Sequence, residues 1–449
     1  MLHIFLKYFL NIHDNIHTYI YIYILSCIKI YDNIYMAKKI NLDSDFDPNS
    51  EQITGPINVA RLEGTVGSVK KVIYLFMDFH MEVYEQTKCS NVYSQNISKY
   101  LANGFNSLGK SPKFYDFFYE EKPSDIVPQL NSSQRAKYIG NVGNFFSKIY
   151  SYDKEHNKTL QSHIYKNVRL HYLDIRDHLI NKAYNMYWIY NACTDLWYNF
   201  SVYTINNIIE WQKISLDHIN NIYKILILPD IKSTGKKNPV IATFNSDANL
   251  DIVTDFTYKI REKYNHPHIK ISINKDLDYL TDKLKKFIVD FEASINRFVE
   301  IREKMVGEYT KASFTDGKFV RYGIKPNVIR SLINEMCDFS DKHLEGMTLI
   351  FAGITDLFML RRFLDKDYIT NAIVYTGEAH SSKYIRLLIS KFGFKITHIS
   401  YSSISDMEKL NDTIKKRVDK NIDDQIDDLL LAPYLLQCSD ISSFPKNFS

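Results

Sequence analysis

The sequence predicts an α/β fold: a mainly parallel sheet with flanking helices and a large helical insertion. Three observations lead there. Short apolar runs rich in β-branched residues end repeatedly in Asp, Glu or His, as parallel strands do when their carboxyl ends share a binding edge. The stretch Asn371–Phe394 has the pattern of a buried strand, a tight turn at Gly377 and an amphipathic helix that Gly393 stops. Between the strand-rich parts, residues 179–342 carry apolar side chains at helical spacing, most clearly Leu277, Leu280, Leu284, Phe287, Ile288 and Phe291.

Composition bounds the function classes. The chain has 449 residues, 45% hydrophobic, enough for two domains or one large domain with an insertion. Its 56 basic and 52 acidic residues leave a net charge of +4, so there is no nucleic-acid signature in the overall charge. The five cysteines lack metal-finger spacing and suggest free thiols in a reducing compartment. Tyr (33) and Phe (27) are abundant while Gly (15) is scarce, a bias of AT-rich codons.

Taken in order, residues 1–35 form an Ile/Tyr/Asn-rich leader with few charges. It reads as translated upstream sequence ahead of a start at Met36, with a membrane anchor through residues 18–31 or a structured element as the alternatives. A signal peptide would need a basic n-region and a small-residue cleavage site, and neither is present. Residues 36–68, with Pro48, Gly55, Pro56, Gly64 and Gly67, read as an irregular lead-in. The first part of the α/β core is expected over 69–178: a strand Val69–His80, helices over 90–108 and 134–150, and a strand whose apolar part ends at Leu173. Phe114–Tyr119 is an aromatic run expected to pack in the core. The helical insertion follows over 179–342. The second part of the core is expected over 343–420, with strands at Met347–Ala352 and Ala372–Tyr375, and 421–449 as an acidic helix and loose tail.

The chemistry-bearing residues sit at the strand ends: Asp78 and His80, then Asp174, Arg176, Asp177 and His178, then Asp356, then Glu378 and His380. Capping accounts for Asp174 or Asp356 taken singly. Four such ends on one edge point instead to a site, with His80, His380, Asp78 and Glu378 as its catalytic set. Asp174, Arg176, Asp177 and Asp356 would form the rim. The dipole of the helix after Gly377 should favour an anion and keep His380 neutral, a form that serves as base or metal ligand. His80 and His380 can then hold a divalent metal that activates water, or work without one as base and acid. The Lys232–Pro239 loop lacks the P-loop pattern, and no dinucleotide fingerprint, nucleophile elbow or kinase set is present.

Tyr375-Thr-Gly-Glu-Ala-His380, followed by Tyr384, Leu387 and Leu388, resembles the G-x-x-H block of the TraB/TIKI/erythromycin-esterase-like group. That likeness implies an α/β core with helical insertions, hydrolase activity, and Gly377, Glu378 and His380 as the second active-site block. The first block would end at His80, with Met77 standing where the group has Gly. The composition and layout also resemble uncharacterised proteins of large DNA viruses, which would place the chain in the virion or host cytoplasm. Two function classes stay open: a hydrolase-like domain of unknown substrate, with or without a metal, and a catalytically inactive viral structural or host-interaction protein.

Overall fold

The computed structural model describes residues 51–448 except 81–88, 92, 122–136, 154–157, 177–178, 180–184, 199, 228–247, 316–326 and 419–425. The leader, its anchor reading and Met36 lie outside the described residues. The strands are β1 (Gln52–Thr54), β2 (Asn58–Val66), β3 (Val69–Asp78), β4 (Gln95–Asn96), β5 (Tyr115–Tyr119), β6 (Tyr152–Asp153), β7 (Lys158–Thr159), β8 (Val168–Tyr172), β9 (Asn371–Gly377), β10 (Lys395–Ile399) and β11 (Cys438–Asp440). Six of them form one sheet in the order β10-β2-β3-β9-β5-β8. The pairs β3–β9, β9–β5 and β5–β8 are parallel, whereas β2 runs antiparallel to both β10 and β3. The sheet is therefore mixed, with a parallel block of four strands rather than parallel pairing throughout.

The pleat sorts the core into two layers. On β3, Ile73, Leu75 and Met77 face the long helices together with Phe118, Ala372 and Val374. Val72, Tyr74 and Phe76 face the other way, with Phe117, Tyr119, Ile373 and Tyr375. That second layer is covered by helices α1 (Ile97–Ser107) and α2 (Tyr138–Phe146) and by Ile441, Phe444 and Phe448. The first is covered by α3 (Asn185–Asp195), α4 (Val202–Ile227), α5 (Ala248–Glu262), α6 (Pro267–Thr315) and α7 (Asn327–Asp365), with α8 (Glu378–Phe392) and α9 (Met407–Val418) beside the sheet.

Several sequence expectations are corrected. The lead-in contains β1 and the nine-residue β2, in which Gly64 makes room for the Phe394 ring. Met347–Ala352 is not a strand but the interior of α7: Met347, Ile350, Phe351 and Ile354 are buried at helical spacing, while Leu349 faces solvent. The acidic C-terminal helix shortens to α10 (Asp427–Leu430) within the described residues. The tail is not loose: β11 pairs with β1, and Phe448 packs edge-on against Tyr74, Phe76 and Tyr100. Cys89 and Cys438 form a disulfide, so the expectation of free thiols holds only for Cys193 and Cys337 among the described cysteines. No described helix is long and apolar enough to cross a membrane.

The end of α7 is fixed to the sheet by a buried cation. Lys71 Nζ donates to the carbonyls of Phe363, Lys366 and Ile369 at 2.9, 2.8 and 2.7 Å. Positive charge at a helix C-terminus satisfies its open carbonyls. Burial lowers the Lys71 amine to about 8.

A Cβ on Gly64 would lie 2.4 Å from the Phe394 ring. Gly64→Ala should cost about 1–3 kcal/mol, the usual range for overpacking, read as a lower urea midpoint at unchanged slope.

Candidate functional site

The parallel register brings four strand ends level. Asp78 of β3 stands opposite Gly377 of β9, and Tyr119 of β5 opposite both Tyr375 of β9 and Tyr172 of β8. Whatever follows these residues meets on one edge. β3 delivers Asp78 and His80, β5 delivers Glu120, β8 delivers Asp174 and Arg176, and β9 leads into α8 with His380. Asp356 arrives from α7, not from a strand end.

Glu120 is the centre of this edge. Its side chain is 3% exposed. One oxygen accepts from the Gly377 amide at 2.5 Å, and the other from Arg176 Nη2 at 2.9 Å. His380 Nε2 lies 3.2 Å from Oε1, and His80 Nε2 lies 3.8 Å from Oε2. Burial alone would raise the Glu120 carboxyl, but His380, His80 and Arg176 outweigh it and hold the group at about 2. The carboxylate occupies the N-terminus of α8, so the anion favoured by the helix dipole is a residue of the chain itself. Gly377 is required by the close approach: a Cβ there would sit 3.0 Å from His80 Nε2 and 3.2 Å from Glu120 Oε2.

His380 lies in the first turn of α8, which begins at Glu378 directly after Gly377. Its Nδ1 is 2.5 Å from Asp356 Oδ1, and Lys383 Nζ is 2.9 Å from Asp356 Oδ2. Burial works against the imidazolium, yet Asp356 and Glu120 raise His380 to about 10. Burial would likewise raise Asp356, and His380 and Lys383 together lower it. The expectation of a neutral His380 is therefore corrected: two carboxylates overcome the helix dipole.

The other candidates divide. Asp78 turns to the Tyr375 hydroxyl at 2.5 Å and accepts the His80 amide at 2.6 Å, and burial raises its carboxyl. This turn holds His80 at φ 58°. The His80 side chain is 39% exposed, but its Nε2 is sealed and has no hydrogen-bond partner among the described residues. Asp174 chelates Arg176 through Nε at 2.8 Å and Nη2 at 3.0 Å, so Arg176 bridges Asp174 and Glu120. Glu378 does not join the imidazoles. It accepts from Ser382 at 2.5 Å, and burial, with Asp427 close by, raises it to about 7. Asp177 and His178 lie outside the described residues.

The arrangement does not fit a metal shared by His80 and His380. Both ring nitrogens of His380 are taken by carboxylates, and no group of three or more His, Cys, Asp or Glu among the described residues can hold an ion. Glu120 is the residue of this cluster that sequence reading passed over. It follows a buried aromatic strand as His80 follows β3, so the strand-end pattern marks it too. Lys383, one helical turn beyond Ala379, carried no such signal.

The pH dependence follows from the pair. His380 has a folded value of about 10 against an ordinary 6.5, so its contribution is complete below pH 6.5 and lost as pH rises through 10. Glu120 has a folded value of about 2 against 4.5, so its contribution is complete above pH 4.5 and lost as pH falls through 2. The His380→Gln variant should be less stable than the wild type by about 3–5 kcal/mol at pH 6, the cost of breaking a buried ion pair. That gap should narrow toward pH 10 in urea titrations.

Residues 51–449 match the profile of a family of unknown function, DUF5847. Three curated relatives come from Acanthamoeba polyphaga mimivirus. Uncharacterized protein R706 is 38% identical over 423 residues, covering 91% of this chain and 99% of the relative. Uncharacterized protein R161 is 34% identical, covering 90% and 99%, and uncharacterized protein R160 is 32% identical, covering 91% and 100%. No solved structure matches the chain. With all of its described residues inside the family profile and relatives covered over almost their full length in a large DNA virus, the chain belongs to the family DUF5847.

Proposed function

We propose that the strand-end cluster is the active centre of a hydrolase that works by acid–base chemistry without a bound metal. The observation that carries this reading is the sealed, unpartnered Nε2 of His80 beside Glu120, on a ring that is otherwise open to solvent. A sealed ring nitrogen beside a carboxylate keeps the imidazole proton, which leaves the other nitrogen of the ring as the base. In the tautomer with its proton on Nε2, turned to Glu120, His80 Nδ1 on the open side of the ring takes a proton from an attacking water. The water oxygen bonds to the electrophilic carbon of the substrate, and the proton then passes to the leaving group as its bond breaks. His380 does not move a proton, because both its N–H groups are engaged. Its fixed positive charge holds Glu120 beside His80, where the carboxylate stabilises the imidazolium that forms there. Asp356 and Lys383 hold His380 in place, and Arg176 with the Gly377 amide holds Glu120. The G-x-x-H likeness to the TraB/TIKI/erythromycin-esterase-like group implies the same activity class.

One observation favours the second reading, an inactive structural or host-interaction protein. Apart from His80, the charges of the cluster are matched inside it: Glu120, Asp356 and Asp174 against His380, Arg176 and Lys383. Such a network can serve only to lock elements together.

The readings separate on His80. With p-nitrophenyl acetate and butyrate as probes, the wild type should release p-nitrophenol, and His80→Gln should lower kcat/KM by about 100-fold or more with an unchanged Tm. Equal rates for wild type and variant, or no release by either, would support the inactive reading.

A further inference from the structure

The opposite edge of the same strands carries a different cluster. Asp116 near the start of β5 is fully buried. Its two oxygens are occupied by Arg169 Nη2 and His171 Nε2, each at 2.6 Å. Arg169 and His171 project from β8 on the face that α7 covers, and burial lowers His171 to about 4, so it is neutral at pH 7. Arg362 comes down from the last turn of α7. Its Nε is sealed and has no hydrogen-bond partner among the described residues, and the same is true of Arg169 Nε. Burial holds Arg362 below the ordinary arginine value, and the attraction of Asp116 does not offset it. The charge of Arg169 pushes it the same way.

A guanidinium cannot escape this cost by losing its proton. A buried charge persists when something pairs it. Asp116 is already committed, so the two arginines exceed the one carboxylate by one positive charge. Arg169 is also held in advance: its guanidinium lies 5.2 Å from the Phe114 ring and 4.9 Å from the Tyr368 ring. A group ordered before its ligand arrives loses little entropy on binding. Only the Nε atoms are sealed: Arg169 remains 29% exposed and Arg362 half-buried, so each guanidinium keeps one side open to solvent.

We propose that Arg362 and Arg169 form a phosphate-binding site at the amino edge of β5 and β8, distinct from the His80 edge. A tetrahedral phosphate accepts from two guanidinium groups arriving from different elements, whereas a carboxylate offers two oxygens in one plane. The phosphate group of a larger molecule and free phosphate share this chemistry.

Calorimetric titration of the full chain with inorganic phosphate, against sodium chloride at matched ionic strength, tests the site. A parallel titration uses adenosine monophosphate. The wild type should bind phosphate saturably, and Arg362→Met should weaken binding about tenfold or more, the scale of one charge-assisted hydrogen bond. In phosphate-free buffer Arg362→Met should melt no lower than the wild type, because it removes a half-buried charge whose sealed Nε has no partner among the described residues. Tighter binding of adenosine monophosphate than of phosphate assigns a phosphomonoester, and equal binding assigns free phosphate. No saturable phosphate binding by the wild type, or equal binding by the variant, overturns the proposal. So does a variant that melts lower or fails to fold.

Discussion

A buried imidazolium between two carboxylates joins the layers of this protein. His380 stands on α8, Asp356 on α7 and Glu120 at the end of β5, so one protonated ring ties a long helix, a short helix and the sheet together. Charges taken out of water are unfavourable singly and hold together only when geometry and further hydrogen bonds complete them. Here they are completed: Lys383 takes the second oxygen of Asp356, while Arg176 and the Gly377 amide add to Glu120. The arrangement leaves His380 no freedom to titrate near neutrality, and it leaves His80 as the imidazole with an uncommitted nitrogen.

That asymmetry shapes the functional reading. Two histidines that look equivalent as sequence, each two residues past an acidic strand end or turn, have opposite environments in the fold. His380 is enclosed and positive. His80 stands at a left-handed turn, open on one side and sealed at Nε2. A residue that carries the network cannot be removed without cost to the fold, whereas His80 contributes one long contact to Glu120. On the proposed reading, function falls to His80 and stability to His380.

Much of the fold was legible where local pattern and tertiary context agree. The 371–394 unit reads as β9 and α8 because its apolar run, glycines and helical spacing all point the same way. The interior of α7 was misread because Met347–Ala352 is apolar on several sides, and periodicity cannot separate a buried strand from a buried helix over six residues. β2 was hidden by Gly64, whose role is to admit Phe394, a residue 330 positions away in the chain. The Cys89–Cys438 pairing is likewise set by the fold and not by spacing. Within the site, His80, His380 and Arg176 were legible as residue types at element ends, whereas Asp356, expected at a strand end, comes from the interior of α7. Glu120 was passed over because its aromatic strand looked like core alone, and the charge state of His380 depends on partners that only the fold supplies.

The account rests on His380 being an imidazolium at neutral pH, and nitrogen-15 NMR of the histidine side chains measures this directly. At pH 8 the His380 ring is expected to show two nitrogen resonances in the protonated range, each bearing a slowly exchanging proton, because both N–H groups are buried against carboxylates. The spectrum of a neutral tautomer at pH 8, with one nitrogen unprotonated, would contradict it.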